Sequence, residues 1–278
     1  MTGAEATARI AVAATAPFGA DVLELLAARR EIASLITRPD RPAGRGRKTC
    51  AAAAKVVAER LGIPVRQPER LDASFEIDAE IVVLAAYGML IPDDLLERAL
   101  WLNVHPSLLP RWRGAAPVER AIMAGDTETG VTIHRTVKEL DAGPIAAQAA
   151  FPIGLEDDAG AVFTQAASLA ATLLEAILPE PSFRPQPDEG VSYAQKITSD
   201  DRELDWSRPV EENLNRVRAL SPHIGVWGEL DGRRLIVWRA RPALPDSALV
   251  SGGLELLEVQ PEGKKRMSGA DYLRGLRA

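Results

Sequence analysis

The sequence predicts an α/β fold in which a doubly wound, mostly parallel sheet is followed by a small β-rich domain. Short apolar runs alternate with amphipathic helical patterns through the first half of the chain, which is typical of a parallel sheet covered on both faces. Residues 81–85, Ile-Val-Val-Leu-Ala, form a continuous apolar run, as in strands buried on both sides. Beyond residue 205, short apolar segments are separated by glycine turns, which indicates a second, smaller β domain.

The elements of the first half follow from hydrophobic periodicity and from the positions of Gly and Pro. Gly62 and Pro64 end the second helix, and Pro92 stands in the first turn of the third. Residues 38–48 contain two prolines and two glycines, so we expect a loop there. Strands are predicted at 10–14, 31–37, 81–85 and 130–137, from Val65 onward and up to His105, and helices at 20–30, 51–61, 93–100, 117–124 and 159–178.

A proline-rich stretch separates the two halves. Residues 179–190 hold four prolines directly after the helix predicted at 159–178, which favours a linker. We therefore predict a first domain at 1–178, a linker at 179–204 and a second domain at 205–278. The second domain is predicted to contain a helix at 210–220 and strands at 225–230, 235–238 and 254–259.

The composition predicts a cytoplasmic protein that meets a polyanion, and we expect it to be a monomer. A single cysteine, Cys50, allows no internal disulfide and is typical of a reducing compartment. We expect neither a signal peptide nor a membrane span, since no window approaches the roughly 18 apolar residues of such a span. The net charge is −6, yet residues 38–48 and 264–278 each hold five basic residues against one Asp. Two basic segments on an acidic protein can steer a polyanion to one face.

The stretch 101–114 carries the strongest functional signal. Asn103 and His105 lie two residues apart on a predicted strand, so both project to the same side. Pro106 ends that strand, and open α/β sheets bind ligands at the carboxyl ends of their strands. An amide and an imidazole can together stabilise a carbonyl oxygen that gains negative charge. Taken alone, such a pair is more often an ordinary hydrogen-bonded pair than a catalytic one.

Asp141 is the third candidate residue. It follows the strand predicted at 130–137, and in a doubly wound sheet that loop reaches the edge where the preceding strand ends. At that edge its carboxylate can orient the His105 imidazole and favour the protonated ring. The alternative is an ordinary turn residue beside Gly143. The residues alone leave both interpretations open.

Several chemistries are disfavoured. The three histidines, His105, His134 and His223, form no His-x-x-x-His pair, and there is no second cysteine, so no metal site is predicted. We interpret His134 and His223 as structural or exposed residues. The stretch 44–48 lacks the spacing of a Walker phosphate loop, and the chain has no Gly-x-Ser-x-Gly elbow. Metalloenzymes, P-loop enzymes and serine hydrolases are therefore disfavoured.

Five stretches resemble the methionyl-tRNA formyltransferase family, and the likeness runs nearly from end to end. The Asn-x-His-x-Ser-Leu-Leu-Pro core with its downstream Asp is shared by the wider superfamily of folate-dependent formyltransferases. The first and last stretches are narrower and indicate the tRNA-specific branch. The five stretches are 38–48, 85–92, 103–117, 139–145 and 260–267.

The resemblance implies a Rossmann-like formyltransferase domain, an OB-like tRNA-binding domain, and transfer of a formyl group from 10-formyltetrahydrofolate to the α-amino group of methionyl initiator tRNA without a metal. It implies that Asn103 and His105 stabilise the oxyanion, while Asp141 holds the imidazole and positions a water for proton transfer. It implies folate contacts at Ala86, Tyr87, Gly88, Met89, Leu90, Ser107, Leu108, Leu109 and Pro110. It implies tRNA contacts at Arg41, Arg45, Arg47, Lys48, Lys264 and Lys265.

Two departures from the family pattern stand out. The chain reads Ala14-Thr15-Ala16 where the family has Gly-Thr-Pro, so that loop is expected to sit differently. Residues 205–278 also contain a helix, which leaves too little chain for five strands of about 5 to 6 residues with their loops. We therefore expect one hairpin of the barrel to be missing or shortened.

Two alternatives to a methionyl-tRNA formyltransferase are retained. The same chemistry can act on a small amine, such as an amino sugar or a nucleotide amine, and the short second domain favours this alternative. The other is a relative that binds tRNA without catalysing a reaction. The intact set of Asn103, His105 and Asp141 argues against the latter.

Overall fold

The computed structural model describes residues 8–43 and 48–277, which fold into two compact units. The first unit contains the described residues up to 113 together with 130–150 and 164–192, and the second contains 114–129, 151–163 and 193 onward. Each unit thus draws on residues from both sides of position 150. The domain boundaries at 178 and 204 stay a prediction.

A seven-stranded sheet lies at the centre of the first unit. Its strands are β1 (Ile10–Ala14), β2 (Ser34–Ile36), β5 (Val65–Arg66), β6 (Ile81–Ala85), β7 (Leu100–His105), β9 (Glu128–Arg135) and β10 (Ile145–Pro152). They lie in the order β10-β9-β7-β6-β1-β2-β5. β1 pairs in parallel with β2 and β6, and β6 pairs in parallel with β7. The sheet is mostly parallel, as predicted, and β1 is buried along its whole length because both faces are covered.

β9 runs antiparallel to β7, and here the structure corrects the expectation for the strand at 130–137. Asn103 lies opposite His134, and Leu102 lies opposite Arg135. The chain therefore leaves β9 beside the middle of β7 and not at its carboxyl end. β10 was not predicted, because its alanine-rich run shows no clear alternation of polar and apolar residues.

The helices of the first unit lie close to their predicted positions. α1 (Pro17–Ala27) begins earlier than predicted, because Pro17 occupies its first turn. α2 (Ala53–Leu61) ends at Gly62, whose φ of 70° is the left-handed conformation that glycine adopts at a helix end. α3 (Asp93–Leu96) is a single turn and is shorter than predicted.

The predicted loop at 38–48 contains strand structure at its end. β3 (Arg41–Ala43) and β4 (Lys48–Cys50) pair antiparallel, with Arg41 opposite Cys50. The expectation of a loop throughout 38–48 is therefore wrong. The prolines and glycines indicated an irregular backbone, whereas the pairing of β3 with β4 satisfies backbone hydrogen-bonding groups. Arg45 and Arg47 lie outside the described residues.

α5 (Ala159–Ile177) is the one helix among the described residues that is long and apolar enough to cross a bilayer by length and composition. No such segment is expected from the sequence. Core helices of soluble proteins satisfy the same criterion, and Ala166, Ala170 and Leu174 of α5 are fully buried.

The second unit combines an antiparallel sheet with helices. Its elements are α4 (Pro117–Met123), α6 (Val210–Leu220), β12 (Val226–Leu230), β13 (Arg233–Pro242), β14 (Val250–Ser251), β15 (Leu254–Pro261), β16 (Met267–Ser268) and α7 (Gly269–Arg277). The sheet has the order β12-β13-β15-β14, with β16 paired to β15. Of the five strands, β14 and β16 have only two residues each, so the OB-like sheet is shortened, as expected. Neither of them was predicted, because two-residue strands show no periodicity, and α7 was missed as well.

The stretch predicted as a linker has local structure. Residues 179–192 belong to the first unit, where Arg184 pairs with Ile145 through two backbone hydrogen bonds. Further along, β11 (Tyr193–Ala194) pairs with β8 (Arg113–Gly114), and a 3-10 turn spans Asp200–Arg202. The proline-rich segment is therefore part of the first unit for most of its length.

Candidate active site

Asn103 and His105 occupy the carboxyl end of β7, where the alternation of a strand directs both side chains to one side. His105 is 4% exposed and Asn103 is half-buried. Pro106 follows directly, so the strand ends at the imidazole, as its sequence predicts. The pair thus lies on a rigid, central element of the sheet and not on a mobile loop.

Asp141 lies beside both residues. Its Oδ1 accepts a hydrogen bond from Asn103 Nδ2 over 3.1 Å, and its Oδ2 lies 3.7 Å from His105 Nδ1. The structure therefore brings the three candidate residues together, although by another route than expected. Because β9 is antiparallel to β7, residues 136–144 fold back to place the carboxylate at the end of β7.

Close backbone packing and one side chain hold the Asp141 loop. A Cβ on Gly143 would lie 1.8 Å from the carbonyl oxygen of Arg135, so only glycine fits there. Gln186 donates its side-chain amide to the carbonyl oxygens of Asp141 and Gly143, over 2.7 and 2.8 Å. Its own oxygen accepts a hydrogen bond of 2.6 Å from Arg113. Gln186 was not predicted as a site residue, because it lies in the proline-rich stretch interpreted as a linker.

The backbone around His105 fixes the position of its proton. Nε2 lies 2.8 Å from the carbonyl oxygen of Trp112, and only an N–H can bond to that oxygen. In the neutral ring Nδ1 therefore carries a lone pair and faces Asp141. Burial lowers the pKa of the His105 imidazole, while the Asp141 carboxylate acts in the opposite direction. The lowered pKa favours the neutral ring, which can accept a proton at Nδ1.

Three residues near these groups have strained backbones. Ala86, Trp112 and Asp141 have φ values of 45°, 63° and 46°, in the left-handed region that residues other than glycine rarely adopt. Each such conformation destabilises the fold by about 1 to 3 kcal/mol and persists only where surrounding contacts impose it. Among the described residues of the first unit, these are the positive φ values outside glycine. Strain of this kind is typical of functional sites.

His134 also belongs to the site. It is 1% exposed, and its Nε2 lies 3.1 Å from Asn103 Nδ2, across the β7–β9 pair. The interpretation of His134 as structural or exposed was incomplete, because the residue opposite Asn103 follows from a strand register that the sequence does not reveal. His223, by contrast, is exposed, in agreement with its interpretation.

Three of the expected folate contacts, Gly88, Met89 and Leu90, line a cavity of about 370 Å³, whereas Ala86 and Tyr87 do not. Tyr87 is buried, and its carbonyl oxygen accepts a hydrogen bond of 3.0 Å from the Thr15 hydroxyl. The altered 14–16 loop therefore still bonds to the stretch 86–90. The cavity is lined by Arg38, Pro39, Arg41, Glu69, Arg70, Leu71, Gly88, Met89, Leu90 and Pro92.

The stretch 107–110 follows β7 closely, and its residues Ser107 and Leu109 are buried. The Ser107 hydroxyl donates to the carbonyl oxygen of Arg111 over 2.7 Å, and Leu109 N donates to the Thr132 hydroxyl over 3.1 Å. Leu108 and Pro110 are half-buried. The polar groups of Ser107 and Leu109 are already bonded within the protein. This stretch can therefore contact a ligand through the shape of its surface and not through these groups.

The residues expected to bind tRNA lie on the surface where their exposure is described. Arg41 is exposed in β3, and Lys264 and Lys265 are exposed in the turn between β15 and β16. Lys48 begins β4. Within residues 8–43 and 48–277, no group of three or more His, Cys, Asp or Glu is arranged to hold a metal ion.

Two family models and two relatives that match this chain in sequence are all formyltransferases. Residues 8–178 match the family model described as formyl transferase, and residues 196–252 match that of the formyl transferase C-terminal domain. The chain is 40% identical over 291 residues to the methionyl-tRNA formyltransferase of Paracoccus denitrificans, covering 96% of this chain and 97% of that protein. It is 41% identical over 301 residues to that of Halorhodospira halophila, covering 97% of each.

Solved structures share the fold at low identity. HypX from Aquifex aeolicus in complex with tetrahydrofolic acid matches with a TM-score of 0.68 at 18% identity, over 96% of this chain and 47% of that one. The sugar 3N-formyltransferase WlaRD matches with a TM-score of 0.66 at 17% identity, over 93% and 99%. At such identities the likeness concerns architecture alone.

Proposed function

The chain belongs to the methionyl-tRNA formyltransferase family, and we propose that its Asn103, His105 and Asp141 catalyse the reaction of that family. The reaction transfers the formyl group of 10-formyltetrahydrofolate to the α-amino group of methionyl initiator tRNA and yields formylmethionyl-tRNA for translation initiation. The observation that carries the assignment of these residues is the contact of all three at the end of β7.

The attacking amine needs little activation. An α-amino group titrates near 7.7 to 8.0 in a peptide, and lower in an ester, so much of it is unprotonated at neutral pH. The difficult species is the tetrahedral intermediate formed when the nitrogen bonds to the formyl carbon. Its oxygen carries a negative charge, and its new nitrogen carries a proton that must leave.

The resemblance implies that His105 stabilises the oxyanion together with Asn103, but because its N–H is held by the Trp112 carbonyl, we propose that His105 takes that proton instead. Because its Nε2–H is held by the Trp112 carbonyl, the neutral ring accepts the proton at Nδ1. The resulting imidazolium lies beside Asp141, whose carboxylate stabilises the positive charge. The ring then returns a proton to the departing folate nitrogen as the bond from that nitrogen to the formyl carbon breaks. A water held by Asp141 can carry this proton where the ring does not reach.

We propose that Asn103 stabilises the oxyanion. Its Nδ2 donates to Asp141 and to His134 before substrate arrives. We propose that the N–H bonded to Asp141 passes from the carboxylate to the formyl oxygen in the transition state without rotation of the amide, and removal of such a donor typically lowers turnover by about 10² to 10³. Folate binds along 86–90 and over 107–110, and the backbone groups near the 370 Å³ cavity orient it.

The tRNA is proposed to contact both basic segments. Arg41 lies in β3 and Lys48 begins β4, Arg45 and Arg47 fall between them in the sequence, and Lys264 and Lys265 lie in an exposed turn of the second unit. Lysine and arginine at these positions neutralise phosphates without reading bases. We propose that the protein acts as a monomer in the cytoplasm, apart from membranes, where initiator tRNA is used.

The test is formation of formyl-methionine from 10-formyltetrahydrofolate and charged initiator tRNA. We expect activity from the wild type, a loss of about 10² to 10³ in kcat for His105→Ala, and little change in the KM for tRNA. Arg60→Ala, on the surface of α2, is the control. An amino sugar nucleotide tests the alternative of a small amine acceptor. Wild type that formylates only the amino sugar, or full activity in His105→Ala, overturns the proposal.

A further inference from the structure

We infer that His134 is a positioning residue that fixes the orientation of the Asn103 amide, an inference that rests on the proposed role of Asn103. Its imidazole lies inside the site, is 1% exposed, and has no part in the proton transfer described above. Three distances, which join His134 to Arg135, Asn103 and Asp141, define this role.

The first distance fixes the proton on the His134 ring. Nδ1 lies 3.0 Å from the carbonyl oxygen of Arg135, and a carbonyl oxygen can only accept. Nδ1 therefore carries the hydrogen, and in the neutral ring Nε2 carries a lone pair. This arrangement is the reverse of that at His105, whose Nε2–H donates to the Trp112 carbonyl.

The second distance defines what the lone pair does. His134 Nε2 lies 3.1 Å from Asn103 Nδ2, which donates to it, while the other hydrogen of the same amide points to Asp141 Oδ1 over 3.1 Å. Two acceptors on one side of the amide force its NH₂ group to face them and its oxygen to face away. Without the imidazole the amide would be held by one bond only and could rotate about its last side-chain torsion.

The third distance shows that His134 does not hydrogen-bond to Asp141 directly. His134 Nε2 lies 3.6 Å from Asp141 Oδ1, beyond hydrogen-bond length. The imidazole thus reaches the carboxylate through Asn103. A protonated His134 would instead donate to Asp141 and could no longer accept from Asn103, so the neutral ring is the form that orients the amide.

For catalysis, this arrangement means that one N–H of the Asn103 amide points in a fixed direction. When the formyl oxygen becomes an oxyanion, the amide can release Asp141 and donate to that oxygen while the bond to His134 keeps its plane in place. A donor whose direction is set in advance stabilises developing charge without reorganisation in the transition state.

A matched pair of variants tests the inference. His134→Gln keeps an amide oxygen that can accept from Asn103, whereas His134→Met has nearly the same length and shape without a comparable acceptor. We expect kcat to fall about 10- to 100-fold in His134→Met, as for other partners that orient a functional group, and to stay within a few-fold of wild type in His134→Gln. The KM values for folate and tRNA should change little.

A double variant shows through which residue His134 acts. In the background of Asn103→Ala, the change His134→Met should add almost nothing, because the amide that it orients is gone. An equal loss in both backgrounds indicates a general structural role or a direct effect on Asp141, and either overturns the inference. Equal losses in His134→Met and His134→Gln overturn it as well.

A spectroscopic measurement reports the tautomers of the wild-type protein itself, and variants serve only to assign its signals. The chain contains three histidines, so nitrogen-15 spectra of the imidazoles of the wild-type protein can be assigned with His134→Gln and His223→Gln. We expect His134 as the Nδ1–H tautomer and His105 as the Nε2–H tautomer near neutral pH. An Nε2–H or doubly protonated His134 overturns the inference. Inactive wild type, or fully active Asn103→Ala, indicates failure of the proposed function instead.

Discussion

Gln186 donates a hydrogen bond from its side-chain amide to the carbonyl oxygen of Asp141 over 2.7 Å, from a segment more than forty residues further along the chain. The same amide donates to Gly143, and Arg113 donates to the Gln186 oxygen. All polar groups of this side chain are thus bonded. The strained φ of 46° at Asp141 persists because such contacts hold the loop from outside.

Replacing Gln186 should therefore lower turnover without weakening tRNA binding. Gln186→Glu has the same shape and still accepts from Arg113, but its carboxylate cannot donate to the two carbonyl oxygens. We expect kcat to fall about 10-fold or more, in the range seen for residues that orient a functional group, with an unchanged KM for tRNA. Steady-state kinetics measure both, and Gln195→Glu serves as the control, because Gln195 is exposed and lies outside the site. A Gln186→Glu variant with wild-type kcat would show that the loop keeps its position unaided.

The pKa of His105 provides a second prediction. Burial holds the pKa of this imidazole below its ordinary value of 6.5, and the Asp141 carboxylate opposes that shift. Asp141→Asn removes the negative charge, and asparagine tolerates the left-handed backbone at this position. The pKa of His105 should then fall further. NMR titration of the histidine ring protons measures it directly, and an increase in Asp141→Asn would contradict the account.

The lowered pKa of His105 also determines how the free energy of unfolding changes with pH. As the pH falls below 6.5, the unfolded chain binds a proton at His105 before the folded protein does. The contribution of His105 to the free energy of unfolding is therefore present above pH 6.5 and decreases on acidification through the folded pKa.

The end of β7 could be predicted because its signals are local. Asn103 and His105 are two residues apart, and Pro106 follows them, so alternation and a strand end can be derived from the letters alone. The predicted approach of Asp141 was correct, but its reason was wrong, because a parallel strand was assumed where β9 is antiparallel.

His134 and Gln186 could not be predicted for a related reason. Which residue lies opposite Asn103 depends on the register of two strands that are separated by a helix, and no short-range pattern records that register. Gln186 is a single polar residue between prolines, and its partners lie far away in sequence. Both functions depend on packing between distant segments, which periodicity does not describe.

The basic segments give a prediction about salt. The double variant Lys264→Ala/Lys265→Ala should lower kcat/KM for tRNA and make it less sensitive to ionic strength, because fewer counterions are released on binding. The slope of log kcat/KM against log salt concentration should become smaller by about 0.7 to 0.9 for each phosphate that the variant no longer neutralises. kcat at saturating tRNA should remain near that of wild type.

Arg60→Ala is the control for the salt prediction, since it removes a positive charge from α2, where Arg60 pairs with Glu24 over 2.8 Å. Its salt slope should equal that of wild type. If both variants change the slope equally, the effect comes from total charge, and the proposed binding of phosphate by Lys264 and Lys265 is wrong.

The pair of Arg120 and Asp201 gives a prediction about acid stability within the second unit. Arg120 donates from Nη1 and Nη2 to the two carboxylate oxygens over 2.6 and 2.8 Å, and both side chains are only about a fifth exposed. The bidentate hydrogen bonds lower the pKa of Asp201 from 3.8 to about 2. The carboxylate therefore contributes on the order of 2 kcal/mol to the free energy of unfolding at neutral pH.

Because the folded pKa is lowered, this contribution is complete above pH 3.8 and is lost as the pH falls toward 2. Arg120→Met should reduce the free energy of unfolding at pH 7 by on the order of 2 kcal/mol, and its difference from wild type should narrow between about pH 4 and pH 3. Urea unfolding measures both. Arg208→Met breaks a more exposed ion pair with Glu212 and should change stability by less than about 1 kcal/mol. A difference for Arg120→Met that stays constant down to about pH 3 would mean that packing of the arginine or its hydrogen bonds to the carbonyl oxygens of Gln195 and Lys196, and not its bond to the ionised carboxylate, stabilise the unit.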